Sequence, residues 1–220
     1  MIGLKYQVIL FDLDGTLTDP KIGITKSVQY ALRKCNIIEP DLDRLIPFIG
    51  PPLTESFQEF YSLSPAAAQA AVGYYREYFV QAGMYENAVY PGVETMLTRL
   101  AATGRDLIIA TSKPTVFSEQ IIAHFGLGHF FKAIVGSHLD GSRIHKAEVI
   151  ACILSQLPQV EPADVIMIGD RKHDISGARS NGLAAIGVSY GYGGPAELRQ
   201  AGADYLVASV TELEQLLLSL

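Results

Sequence analysis

The residues that could do chemistry fall in four short stretches: Asp12-Leu13-Asp14-Gly15-Thr16, Thr111-Ser112-Lys113, Lys146, and Gly169-Asp170-Arg171-Lys172-His173-Asp174. Asp12 and Asp14 leave an apolar run two residues apart and can face one point. Held close, such carboxylates repel and raise each other's pKa unless a cation lies between them. Their oxygens suit Mg2+, which usually takes one or two carboxylates and shares its substrate's phosphate. Asp and Gly suit an ordinary strand-ending turn equally well. The hydroxyls of Thr111 and Ser112, with backbone N–H groups leading towards a helix, make a corner for phosphate; Thr and Ser are also common helix caps. Lys146 opens a helix, where its charge opposes the helix dipole, a mild penalty that an anion served by the lysine would explain. Asp170 closes another apolar run and Asp174 lies one helical turn later. Both offer oxygens to a hard cation, and Asp174 can also cap the following helix.

The elements that must position these residues follow from hydrophobic patterning. Gln7–Phe11, Leu107–Ala110, Ala133–Val135, Val165–Ile168, Ala184–Val188 and Tyr205–Val207 read as strands. They are mostly continuous apolar runs rather than alternating ones, as parallel strands covered on both faces require. Between them lie helix-length segments, Val93–Ala102, Val116–Phe125, Ala147–Leu157 and Ile175–Ser180, three of them closed by Gly104, Gly126 and Gly182. Strand alternating with helix predicts an α/β domain with a doubly wound, mostly parallel sheet. Such sheets take their ligands at the carboxyl ends of the strands, where the candidate residues lie. From Thr18 to Val89 the rhythm stops and only helical signals remain: Ile22–Cys35, Leu53–Tyr61, and Ser64-Pro65 as cap and first-turn proline before Ala66–Gln81. Tyr90-Pro91-Gly92 restarts the pattern. The expected organisation is an α/β core of residues 1–17 and 89–220 with an all-helical insertion, 18–88.

Composition narrows the partners. Hydrophobic residues make up 49% of the 220 and charged ones 18%, enough for a sizeable core. A net charge of −6 supplies no basic field for nucleic acid or an anionic membrane, so neither is an expected partner. It would also repel an anionic substrate unless a metal or a few placed cations neutralise it locally. Cys35 and Cys152 are far apart with no C-x-x-C spacing, which predicts two buried thiols in a reducing compartment. The first residues run into a strand without a signal peptide's apolar stretch, and no run approaches the ~18 apolar residues of a membrane span, so a soluble, cytoplasmic protein is expected. Tyr190-Gly191-Tyr192-Gly193-Gly194 lacks dinucleotide-binding spacing and reads as a surface loop. His173 could approach the site, and a solvated loop histidine is the simpler reading. His138 and Asp140 follow a strand end, a position that favours ligands and turns alike. Tyr74, Tyr75, Tyr78 and Phe79 read as packing residues with polar tips at the tyrosines.

Taken in chain order, the four stretches resemble the motifs of the haloacid dehalogenase superfamily of phosphotransferases, and within it the phosphoglycolate phosphatase-like enzymes. The likeness covers essentially the whole chain. Asp12-Leu13-Asp14-Gly15-Thr16 resembles the first motif, Thr111 the second, Lys146 the third, and Gly169-Asp170 with Asp174 the fourth. The helical insertion resembles the cap of these enzymes, and Ile49-Gly50-Pro51-Pro52-Leu53 a cap segment of the phosphoglycolate phosphatase-like group. Ala147 stands where many relatives carry Pro after the lysine, a departure that leaves the charge in place. The resemblance implies a Mg2+-dependent phosphatase of small phosphomonoesters such as phosphoglycolate, nucleotides or sugar phosphates. Asp12 would be the nucleophile and Asp14 the acid and base. Asp12, Asp14 through its carbonyl, Asp170 and Asp174 would hold the metal, while Thr111, Ser112 and Lys146 clamp the phosphate on Asp12. Three rivals weigh less. A sugar-phosphate mutase would carry a Lys-Gly cap segment, and Ile49–Pro52 has no lysine. Carbon–halogen displacement has no use for Asp14 or the Asp170 and Asp174 pair. Receiver domains, which are phospho-aspartate switches on a similar sheet, are shorter and lack the insertion.

Overall fold

The computed structural model describes residues 5–220, which divide into two compact units: 5–18 with Val89–Leu220, and Asp19–Ala88.

The first unit is built on six parallel strands, β1 (Val8–Phe11), β4 (Asp106–Pro114), β5 (Ala133–Ser137), β6 (Val165–Gly169), β7 (Ala184–Val188) and β8 (Tyr205–Val207), in the order β5-β4-β1-β6-β7-β8. β1, where the first candidate acids emerge, is therefore central. The sheet is buried on both faces. Val8, Leu10, Ile108, Val165 and Met167 point to one side, against Val149, Ile150 and Ile153 of α6 (Lys146–Ser155) and Ile175 and Ala178 of α7 (Lys172–Ser180). Strand residues alternate, so Ile9, Phe11, Ile109, Ile166 and Ile168 point the other way and are just as fully buried. α5 (Thr115–His124) packs on β4 and β5, while α9 (Val210–Ser219) packs on β8 and on α4 (Val93–Ala101). α8 (Pro195–Ala201) completes the unit. The α/β, doubly wound parallel sheet read from the sequence is the observed one.

Two differences bear on function. β4 continues to Pro114, four residues past its apolar run, and its pairing with β5 slips between Ala110 and Pro114. Thr111, Ser112 and Lys113 thus lie on an irregular strand end rather than in a loop. α7 begins at Lys172, so His173 and Asp174 stand in a helical first turn.

The second unit holds α1 (Lys21–Lys34), α2 (Leu53–Tyr61) and α3 (Pro65–Tyr78), with a short 3-10 segment at Leu42–Phe48 and a π turn at Phe79–Gly83. Ser64 opens α3 as expected, its hydroxyl accepting from Ala67 N at 3.3 Å. Phe48 is buried edge-on against Phe57 and Phe60, and Val28, Leu32, Ala71 and Tyr75 are buried in the same unit. The strand-free expectation for this stretch needs one correction. Two-residue strands β2 (Thr18–Asp19) and β3 (Ala88–Val89) pair where the chain leaves and re-enters the α/β unit, too short to leave a periodic pattern. Cys35 and Cys152 are free and half-buried rather than buried. Among the described residues no helix is long and apolar enough to cross a membrane.

Candidate active site

Parallel register brings the candidate residues together. Phe11 of β1 lies opposite Ile109 of β4 and Ile168 of β6, so the residues after each strand emerge side by side. Asp12 begins this region, its N–H donating to the Ile168 carbonyl at 2.8 Å. Asp12, Asp14, Thr111, Lys146, Asp170 and Asp174 are all buried, none more than 7% exposed. Carboxylate oxygens of Asp12, Asp170 and Asp174 lie within 4.8 Å of one another.

Lys146 is the cation inside this cluster. Its Nζ lies 2.6 Å from Asp12 Oδ1 and 2.8 Å from Asp174 Oδ1, and donates to the Ala110 carbonyl at 2.7 Å. Burial works against its charge, but the two carboxylates more than offset that and push its pKa up to about 12. A lysine at the positive end of a helix is thereby explained by the anions it faces. Asp174 is not the N-cap of α7. It sits in the first turn, where its Oδ2 accepts from Arg171 N at 3.0 Å and its other oxygen meets Lys146. Burial raises its pKa, Lys146 opposes the rise and Asp12 adds to it, leaving it at about 6. Asp170 is raised well above the ordinary carboxylate range, first by burial and then by Asp174 and Asp12. Its Oδ2 accepts from Tyr192 N at 2.7 Å, while its Oδ1 is buried with no partner.

Asp14 stands in the turn that follows β1, closed by Gly15 N donating to the Thr18 carbonyl. Gly15 has φ +83°, and a Cβ there would overlap the Asp170 carboxylate, so glycine alone lets the first and fourth stretches meet. Asp14 Oδ2 pairs with Lys113 Nζ at 2.7 Å, while its Oδ1 and the nearby Thr16 Oγ1 are buried without partners. Burial raises the Asp14 pKa and Lys113 is the chief opposing influence. Thr111 Oγ1 accepts from Lys113 N at 3.3 Å, and the Ser112 carbonyl accepts from Ser137 Oγ at 2.8 Å. These bonds hold the irregular strand end in shape.

Other residues singled out from the sequence fall elsewhere. His138 and Asp140 are exposed and form a turn with Ser142, whose N–H and hydroxyl donate to Asp140 Oδ1. His173 is half-buried in α7, its pKa lowered by burial and then by Arg171 and Lys172, rather than solvated in a loop. Two features escaped sequence reasoning. Lys113 shares the strand parity of Thr111, a signal that could have pointed it at the site had β4 been extended. The Tyr190–Gly194 segment is not a free surface loop, because Tyr192 N binds Asp170 and Tyr190 OH donates to the Thr16 carbonyl at 2.9 Å.

Residues 9–188 match the model of the haloacid dehalogenase-like hydrolases. The chain belongs to that family. It is 49% identical over 214 residues to a 5'-nucleotidase of Pseudomonas aeruginosa, covering 97% of this chain and 96% of that one. It is 37% identical to the tyrosine-protein kinase PtkA of Mycobacterium tuberculosis, over 87% of this chain and 65% of the kinase. Among solved structures, a predicted phosphatase from Clostridium acetobutylicum superposes with a TM-score of 0.95 at 51% identity, over 98% of this chain and 99% of that one. With this kinship the expected enzyme class, a phosphoric monoester hydrolase, stands.

Proposed function

We propose that this hydrolase is a Mg2+-dependent phosphatase acting on small phosphomonoesters through an aspartyl-phosphate on Asp12. The observation that carries this reading is the buried cluster of Asp12, Asp170 and Asp174 with Lys146 paired to Asp12 and Asp174. Carboxylates crowded in a dry site call for a further positive charge, and the partnerless Oδ1 of Asp170 is an oxygen ready for a hard cation. The donor set is all oxygen, which fits Mg2+ held by Asp12, Asp170, Asp174 and the main-chain carbonyl of Asp14. When bound, Mg2+ would neutralise these acids and the phosphoryl oxygens, the local cation supply that an acidic protein needs for an anionic substrate.

The chain's own residues then divide the work. An Asp12 carboxylate oxygen attacks phosphorus in line as the phosphorus–oxygen bond to the alcohol breaks. Asp14 gives its proton to the departing alkoxide, then takes one from the water that attacks the aspartyl-phosphate, releasing inorganic phosphate and regenerating Asp12. Lys146, the Thr111 hydroxyl and the Ser112 N–H hold the equatorial oxygens, where charge spreads in the transition state. Lys113 orients Asp14 for both proton transfers. The helical unit corresponds to the cap of this family, and the setting is cytoplasmic. The name of the Pseudomonas relative, a 5'-nucleotidase, supports testing nucleoside 5'-monophosphates first, ahead of phosphoglycolate and sugar phosphates. The relative named a kinase supports a second reading, in which a substrate hydroxyl rather than water accepts the phosphoryl group.

Phosphate release from a panel of nucleoside monophosphates, phosphoglycolate and sugar phosphates, with Mg2+ and with EDTA, tests the proposal. Release that EDTA abolishes and that peaks on one compound supports the phosphatase. Acyl phosphate trapped on Asp12 without phosphate release would move the assignment to transfer. Neither product would overturn both readings.

A further inference from the structure

Tyr190-Gly191-Tyr192-Gly193-Gly194 joins β7 to α8 and binds two separate parts of the site at once. Tyr192 N donates to Asp170 Oδ2 at 2.7 Å and fixes which carboxylate oxygen remains partnerless. Tyr190 OH donates to the Thr16 carbonyl at 2.9 Å, inside the turn that carries Asp14, and its ring lies edge-on to Tyr90. Between these anchors the backbone runs against the site itself. A Cβ on Gly191 would overlap the Gly15 carbonyl and the Asp170 side chain, and one on Gly193 would overlap the Asp170 carbonyl. Gly194, in contrast, faces open space, with nothing within 4 Å of a Cβ. Glycine is thus required at the two positions that touch the acids and not at the third. The far end is pinned as well: Glu197 Oε1 in α8 accepts from Lys172 N at 2.8 Å and from Arg171 Nε at 3.0 Å, the residues next to Asp170.

We propose that residues 190–193 form a strap that sets the distance and orientation of Asp170 relative to the Asp12–Thr16 turn, and thereby the site's affinity for its divalent cation. The inference rests on the metal reading above, and adds that cation affinity is set partly by a segment that offers the ion no ligand. Such outer contacts commonly change metal affinity by ~10–100-fold when removed. Gly191 and Tyr190 are positioning residues that act through Asp170 and through the Thr16 carbonyl.

Mg2+ titrated calorimetrically into metal-free protein, with no substrate present, tests the strap, and circular dichroism reports folding. Gly191→Ala is expected to weaken Mg2+ binding at least ~10-fold, and Tyr190→Phe ~3-fold. Gly194→Ala, in the same loop, is expected to bind as the wild type does. A folded Gly191→Ala that binds Mg2+ with wild-type affinity overturns the strap, as does an equal loss in Gly194→Ala, which would mark a general loop effect. Should Gly191→Ala fail to fold, Tyr190→Phe decides, weaker binding supporting the strap and unchanged binding overturning it. A wild-type protein that binds no Mg2+ overturns the metal reading and the strap together, so the two failures are distinguishable.

Discussion

Among the described residues, only the α/β unit buries both partners of an ion pair. In the helical unit each described ion pair keeps at least one exposed partner: Lys21 and Asp43 meet with side chains 39% and 71% exposed, Lys34 with Glu77 is half-exposed at both ends, and Arg44 reaches a buried Glu39 from the surface. In the α/β unit, Lys146 and Asp12 meet at 3% and 7% exposure, with Asp174 at 2% beside them. Taking a charge out of water costs several kcal/mol per ion even after relaxation, and crowding like charges adds to that cost. A surface pair carries almost no such cost and contributes correspondingly little. A fold selected for stability alone would fill the strand ends with apolar residues, as the strands themselves are filled. Buried carboxylates with partnerless oxygens are the residues to which the proposed function gives the chemistry, whereas each described ion pair of the helical unit reaches solvent.

The largest expected effect is at the centre of this contrast. Asp12→Asn should lower turnover by ~10^4-fold or more while the far-ultraviolet spectrum stays that of the wild type, because a carboxamide cannot form the acyl phosphate. Turnover within tenfold of wild type in a folded Asp12→Asn protein would break the assignment of the buried charges to catalysis.

Asp170→Asn separates function from stability. It should raise the Mg2+ concentration for half-maximal rate ~10–100-fold. The metal-free variant should also melt no lower than metal-free wild type, since a buried charge crowded by Asp12 and Asp174 has been removed. A lower melting temperature for the metal-free variant, from calorimetry at one pH, would show that Asp170 holds the fold and weaken the contrast.

Lys113→Met should act through Asp14. In the proposed mechanism the pair at 2.7 Å orients Asp14 as proton donor, so hydrolysis of alkyl phosphates should fall ~10–100-fold. Hydrolysis of p-nitrophenyl phosphate, whose leaving group needs little protonation, should fall much less. Equal losses on the two substrates would assign Lys113 a structural role instead.

Legibility followed the same division. Asp12 and Asp170 could be located because each ends a continuous apolar run, and parallel pairing does the rest. Lys113 could not, because the apolar run of β4 stops at Ala110 while its hydrogen bonding continues to Pro114. The Tyr190–Gly194 segment reads as a surface loop because what demands Gly191 and Gly193 is Gly15 and Asp170, distant in sequence and adjacent only in space. The pairing of Thr18–Asp19 with Ala88–Val89 was hidden by length, since two residues have no period. The helices of the second unit were readable from caps and apolar spacing, signals that operate within one element.

The smallest effect is expected at Lys21 and Asp43, and it is as diagnostic as the largest. Lys21 Nζ lies 2.7 Å from Asp43 Oδ1, closer than many functional contacts, and Asp43 raises its pKa. By distance alone this pair equals Lys113–Asp14, and only exposure separates the two. Water already solvates both Lys21 and Asp43, so losing the pair exchanges one solvated arrangement for another. Lys21→Ala and Asp43→Ala, singly or together, should leave the melting temperature within ~2 °C of wild type and kcat/KM unchanged. A double variant that loses activity as Lys113→Met does would show that exposure does not separate solvated charge from working charge in this protein.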